Sequence, residues 1–272
     1  MITFYILFLM SIVVICTENV MNSGIEAKVV GGVPVDISAF PYAVMFFNVN
    51  NMCGGNILNT KIILTVAHCL DLNKNVSKMM IQAGSRYIFD KNAKSYDVHD
   101  YLIHEDYNKT VIFSCDIALL LLQHTIVYGN KIQKAFLVND DSWTNSEENI
   151  FYTAGWGWTK YGGTVSKLGL MYTNLRYIPL DKCMKLHKSR LTPDMFCLYG
   201  DGERDSCKGD SGGGILWNGV VVGLVSHGEG CALKNKPSVY TNVYYLRQWI
   251  DNGVKRLEEI YCQDLELNKI SR

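Results

Sequence analysis

Hydrophobic positions fall into short runs that glycine, asparagine and aspartate clusters interrupt every few residues. Runs such as Tyr42 to Phe47, Ile62 to Val66, Ile117 to Leu122 and Gly219 to Ser226 are rich in Val, Ile, Leu, Tyr and Phe and predict strands. Many short strands with frequent turn signals predict an all-β barrel or sandwich, not alternating βαβ units. The polar stretch Asn139 to Asn149 is the candidate connection between two halves. Near the end of the chain the pattern changes. Leu246, Trp249, Ile250, Val254, Leu257, Ile260 and Tyr261 recur at spacings of three and four, which predicts an amphipathic helix. Its interior Gly253 costs about 1 kcal/mol relative to alanine, so packing of the apolar stripe must hold it.

The first apolar run, Ile2 to Cys16, carries no charge and is shorter than the ~20 residues a spanning helix needs. It predicts a signal peptide over residues 1–16 and a secreted, extracellular protein with no membrane anchor, although no Lys or Arg precedes the run. The 272 residues are 48% hydrophobic, ample for a large core, and 26 basic residues balance 26 acidic ones. That balance gives no footing for nucleic acid or an anionic membrane surface. Of nine cysteines, Cys16 leaves with the signal, and the remaining eight suit a disulfide framework with 105 possible connectivities. No Cys-x-x-Cys or His-x-x-x-His pair occurs, so no metal site and no cofactor are expected. Asn75-Val76-Ser77 and Asn108-Lys109-Thr110 are glycosylation patterns, making Asn75 and Asn108 candidate acceptors.

The segment from Asp205 to Gly214, DSCKGDSGGG, sets Ser211 among glycines. Glycines allow close backbone approach and leave N–H groups free to face a developing oxyanion. A serine hydroxyl needs a base to take its proton and a carboxylate to orient that base. His68 follows a strand-like run and adjoins Cys69, while Asp116 opens another apolar run, where burial would make its carboxylate seek a donor. The order His, Asp, Ser is one of the chain orders of serine triads. The Gly-x-Ser-x-Gly elbow reading fails. Only His227 follows Ser211, no acid lies between them, and 61 residues cannot complete a parallel sheet. A subtilisin order would need an acid before the histidine and offers mainly Asp36.

Five motifs in sequence order, Val29-Val30-Gly31-Gly32, Thr65-Val66-Ala67-His68-Cys69, Asp116-Ile117-Ala118-Leu119, Gly155-Trp156-Gly157 and the segment around Ser211, resemble the trypsin-like serine proteases of the chymotrypsin family. The resemblance spans Val29 to about Gly253. It implies an all-β fold of two six-stranded antiparallel β-barrels with a C-terminal helix, and an active site in the cleft between them. The implied divisions are a propeptide over 17–28 and a protease domain over 29–272. Within that domain the first barrel takes about 29–135, the second about 139–244, and the helix and extension 245–272. It makes Ser211 the nucleophile, His68 the base and then acid, and Asp116 the orienting carboxylate, with the amides of Gly209 and Ser211 as oxyanion hole. Cleavage after Lys28 would free Val29 to pair with Asp210, and the uncleaved zymogen would leave the pocket disordered.

The resemblance also pairs Cys53 with Cys69, Cys183 with Cys197, and Cys207 with Cys231. Cys115 and Cys262 remain, and their pairing would tie the C-terminal extension to the Asp116 segment. Asp205 matches the pocket-floor acid that selects Lys or Arg before the scissile bond, with Ser226, Gly228 and Ser238 as pocket residues. His227 stands where tryptophan is usual and Ser238 where glycine is common. An added hydroxymethyl there narrows the slot or bonds Asp205, which implies an altered Lys/Arg preference. Phe151 and Trp217 occupy the places of a further cysteine pair, and an aromatic contact between them is expected. Gly214 replaces a common proline and is expected to act on loop stiffness. Ser85 stands where relatives carry a calcium-liganding glutamate. The expected partners are protein or peptide substrates, protein protease inhibitors and an activating protease, with the enzyme a monomer. A non-catalytic binding relative would usually have lost a triad residue, and His68, Asp116 and Ser211 are all present.

Overall fold

The computed structural model describes residues 29–188 and 190–270. The expected signal peptide, the expected propeptide and Lys28 lie outside the described residues. After the two-residue strand β1 (Val33–Pro34), the first half supplies β2 (Ala43–Asn48), β3 (Asn51–Ile57), β4 (Ile62–Thr65), β5 (Met79–Ala83), β6 (Lys94–Ile103) and β7 (Ala118–Leu122). These six close into an antiparallel barrel in the order β2-β3-β4-β7-β6-β5.

The second half contributes β8 (Ile150–Gly155), β9 (Met171–Ile178), the helix α1 (Leu180–His187), β10 (Met195–Tyr199), β11 (Gly214–Trp217), β12 (Val220–His227) and β13 (Ser238–Asn242). Their antiparallel pairings run β9-β10-β13-β12-β11-β8, and β8 pairs back to β9, closing a second six-stranded barrel. β1 joins this second barrel, with Val33 opposite Tyr172 on β9, although the sequence boundary put residues 29–135 with the first. Two residues give too little pattern to reveal which edge they will pair with.

In β4 and β7, Ile62 to Leu64 and Leu119 to Leu122 are all fully buried, so these strands are covered on both faces. Continuous apolar runs, not alternating ones, are what such strands require. One cover is α2 (Arg247–Ile270), which packs on β6 and β7. Gly253 is why it fits so closely: a Cβ there would stand 2.7 Å from Leu119 Cδ1 and 3.1 Å from Leu102 Cδ2. The propensity lost at that glycine is therefore exchanged for close helix–sheet packing. Along the helix, Trp249 stacks on His104 at 5.0 Å, Asn59 donates to Glu258, and His99 Nε2 lies 2.8 Å from Asp264 Oδ2.

Candidate active site

His68 sits in a 3-10 turn (Ala67–Leu70) directly after β4, and its neighbour Cys69 is bonded to Cys53 on β3. Asp116 immediately precedes the segment entering β7 and is 1% exposed. Because β4 and β7 pair with Thr65 opposite Ala118, the strand ends bring the two residues together. Asp116 Oδ2 lies 2.8 Å from His68 Nδ1, and Oδ1 accepts the His68 backbone N–H at 2.9 Å. Ser226 Oγ donates to Asp116 Oδ2 at 2.6 Å. Burial opposes ionisation of Asp116, but His68 and the hydroxyl outweigh it and hold the carboxyl below its ordinary range. Burial likewise pulls His68 down, and the charge and hydrogen bond of Asp116 raise it above its usual value.

The Ser211 loop is fixed to the opposite barrel by its backbone. Gly54 N–H on β3 donates to Ser211 C=O at 2.7 Å, and buried Asn56 donates through Nδ2 to Gly212 C=O at 2.9 Å. No hydrogen bond joins the Ser211 hydroxyl to His68 in this conformation, which is common before substrate tightens such contacts. The N–H groups of Gly209 and Ser211 have no acceptor among the described residues, as donors awaiting an oxyanion require. Gly209 has φ +100°, and a Cβ there would meet Gly157 Cα at 2.9 Å. Only glycine suits both the dihedral and the approach.

A cleft of about 850 Å³ opens beside Ser211 between the Ser206–Lys208 segment and Ser226–Gly228. Asp205 lies at its base, 4% exposed and behind the cleft lining. Ser238 Oγ and Ala232 N–H both donate to Asp205 Oδ2 at 2.8 Å, and Tyr240 Oη donates to Oδ1 at 3.4 Å. Burial raises the Asp205 carboxyl to about 6 despite these donors. The Ser238 hydroxyl thus covers the carboxylate from the cleft side. Along the rim, His227 stacks on Phe113 at 4.5 Å, and Phe113 meets His68 edge-on at 5.6 Å. His227 Nδ1 lies 3.0 Å from Ser226 Oγ, and burial pulls the imidazole down to about 4.

Asp210 is 2% exposed and accepts from Gly157 N–H at 2.7 Å and Cys207 N–H at 2.9 Å. Cβ atoms at Gly155 or Gly157 would collide with its carboxylate, so the Gly-Trp-Gly segment makes its chamber. Burial raises Asp210 to about 7, and no cation faces it among the described residues. Val29 is 1% exposed, and Val30 C=O accepts from Asp205 N–H at 3.1 Å. The two amides hold the Asp210 side chain in place beneath the Ser211 loop.

A family model described as Trypsin matches residues 29–250. The chain belongs to the trypsin family. It is a trypsin-like serine endopeptidase, and several trypsins of flies resemble it over most of their length. Trypsin alpha-4 of Lucilia cuprina is 33% identical over 83% of this chain and 87% of its own length. Trypsin delta of Drosophila melanogaster is 31% identical over 83% and 88%, and Hypodermin-B of Hypoderma lineatum is 31% identical over 85% and 89%.

In this trypsin-family chain the three implied disulfides are present: Cys53–Cys69, Cys183–Cys197 and Cys207–Cys231. The Cys115–Cys262 pairing is not: both thiols are free. α2 carries Cys262 along the outer face of β6, where nearby Asp264 reaches His99, whereas Cys115 N–H donates to Asp194 Oδ2 at 2.6 Å, just ahead of β10. The β8–β11 register, with Leu216 opposite Tyr152, runs toward Trp217 and Phe151, and both belong to one core cluster, while the Phe151 ring packs edge-on to buried Trp143 at 6.0 Å. Gly214 lies in β11, not in a flexible loop, and a Cβ there would overlap Asn56 Oδ1. Ser85 Oγ donates to Asp90 Oδ2. Asn75 and Asn108 are both exposed.

Sequence reasoning passed over Asn56 and Phe113. Asn56 and Phe113 look like ordinary strand and loop residues, and their site contacts form across the seam between the barrels, Asn56 to Gly212 C=O and Phe113 to His227. Only the structure shows that the Phe113 loop holds Asn108, Phe113 and Cys115 at φ +61°, +64° and +49°, backbone strain of the kind functional loops often store.

Proposed function

We propose that this enzyme is secreted as a zymogen, is activated by cleavage after Lys28, and hydrolyses peptide bonds after Lys or Arg through an acyl-enzyme. The observation that carries the reading is the buried Asp116 carboxylate 2.8 Å from His68 Nδ1, beside the Ser211 loop. In this reading Asp116 holds a proton on Nδ1, leaving Nε2 free to take the Ser211 proton as Oγ attacks the carbonyl carbon. The imidazolium then protonates the leaving amine, and water repeats the sequence to release the acid. The unengaged amides of Gly209 and Ser211 receive the oxyanion, each such donor typically contributing about 2.7 to 4 kcal/mol.

Asp205 favours a cation before the scissile bond, and its Ser238 cover favours one that interacts through the hydroxyl. That oxygen gives its proton to Asp205 and keeps lone pairs toward the cleft. Asp210 is the acceptor for the Val29 ammonium after cleavage, which supplies the positive charge its two amides lack. Asn75 and Asn108 are exposed acceptors for glycan in a secreted chain. The fly relatives carry the name trypsin, which supports the basic specificity.

The test is steady-state kinetics on matched peptide amides after limited cleavage at Lys28. Lys and Arg substrates should exceed Tyr and Leu substrates by about 10²-fold or more in kcat/KM, as loss of a buried charge partner predicts. A preference for Tyr or Leu over both basic residues would overturn the assignment.

A further inference from the structure

Ser226 and His227 are neighbours on β12, and regular strand alternation would send their side chains to opposite faces. The β12–β13 register slips at this point, with Val225 opposite Tyr240 and His227 opposite Val239, so Ser226 is the extra residue of a bulge. Bulges beside active sites re-aim side chains, and this one brings His227 Nδ1 to 3.0 Å from Ser226 Oγ. The imidazole is also held by its face, stacked on Phe113 with centroids 4.5 Å apart and planes 18° from parallel.

The proton directions follow from the one group that can only accept. Asp116 is held in its ionised form, so Oδ2 takes a hydrogen from each neighbour, His68 Nδ1 at 2.8 Å and Ser226 Oγ at 2.6 Å. The single hydroxyl hydrogen of Ser226 points at Asp116, which leaves only lone pairs toward His227. Nδ1 of His227 must therefore carry the ring hydrogen and donate it. The other tautomer would draw the hydroxyl hydrogen to the imidazole and leave two oxygens 2.6 Å apart with nothing between them. We propose that His227 is a positioning residue for the hydrolytic reaction: its Nδ1–H locks the Ser226 hydroxyl onto Asp116 Oδ2 and so fixes the carboxylate that orients His68. The tryptophan usual at this place carries carbon where His227 carries Nδ1, so the donor belongs to this chain.

The titratable groups facing the ring are Asp116 and His68 from the first barrel, His187 at the end of α1 and Asp194 just ahead of β10. Burial outweighs both carboxylates and pulls His227 down to about 4, while His68 is raised above its usual value. The second imidazole thus stays neutral where the first takes up its proton, and adds no cation to oppose the His68 imidazolium. The inference rests on the active-site reading above and adds a residue through which Asp116 is held.

The test uses enzyme activated at Lys28 and a chromogenic amide of a basic residue, with kcat expressed per titrated Ser211 so that only folded enzyme counts. His227→Phe keeps a ring on Phe113 and removes the donor; His227→Asn removes the ring and puts an amide N–H where Nδ1 stood. His227→Phe should lower kcat about fivefold, the factor one neutral hydrogen bond supplies. It should also move the acid limb of the kcat/KM profile up by about half a pH unit, because an Asp116 with one donor fewer holds the His68 proton harder. His227→Asn should recover the limb and most of kcat, a rescue that ring packing alone would not give. In a Ser226→Ala background His227→Phe should move neither quantity further, since the hydroxyl it acts through is gone. Three results each overturn the inference and leave the active-site reading intact: kcat and limb unmoved in His227→Phe, an asparagine variant no better than the phenylalanine one, or an undiminished effect on Ser226→Ala. No hydrolysis of the amide by wild type overturns that reading and this inference with it.

Discussion

Asp210 is the buried group whose charge the uncleaved chain compensates least, and replacing it with asparagine measures that deficit. Burial raises its carboxyl to about 7 against an ordinary value near 4, even with two backbone donors. Such a group binds protons more tightly folded than unfolded, so stability is full below the unfolded pKa and is lost as pH rises through the folded one. Between pH 5 and pH 8 the uncleaved wild-type chain should therefore lose about 3 kcal/mol that Asp210→Asn does not, two pKa units at 1.36 kcal/mol each. For a chain of this size that gap corresponds to roughly 6 to 12 °C in Tm. Paired thermal and denaturant melts of uncleaved wild type and Asp210→Asn across that range measure it. After cleavage at Lys28 the Val29 ammonium should remove most of the wild-type loss and leave the asparagine variant behind. Parallel stability curves for the two uncleaved proteins would refute the argument.

Ser238→Gly should uncover Asp205 and raise kcat/KM for Arg relative to Lys substrates by about tenfold, because a guanidinium fork needs both carboxylate oxygens; paired amide kinetics read the ratio. Asp116→Asn should leave the melting curve within a few degrees and lower kcat by about 10⁴-fold near neutral pH, since the amide favours the wrong imidazole tautomer; single-turnover kinetics check it. Gly253→Ala should destabilise by about 1 kcal/mol despite better helix propensity, because its Cβ would press on Leu119 inside a full core; urea melts decide the sign.

The barrels were readable because the β4 and β7 runs are apolar at successive positions and the motifs around His68, Asp116 and Ser211 stand at strand ends or in glycine loops. α1 was not, since eight residues with a proline at the N-cap and Lys188 in the left-handed region offer no capping side chain and little periodicity. Cys115 and Cys262 were paired as the two left over, but a count carries no distance, and the course of α2 keeps them apart. Gly214 and Asn56 show the same limit: a Cβ at Gly214 would overlap Asn56 Oδ1, a contact across the seam of two barrels between residues 158 positions apart in sequence. Ser238 was legible as a departure, while its choice between narrowing the slot and bonding Asp205 needed the geometry.

The account stands most directly on the reactivity of Ser211 once Val29 is the first residue. Protein cleaved after Lys28 and treated with a phosphonate ester bearing a basic side chain should take up one label per chain, located by mass spectrometry on Ser211. Ser211→Ala should take up none. Cleaved, folded wild type that stays unlabelled at Ser211 would contradict the assignment of His68, Asp116 and Ser211 as a working triad.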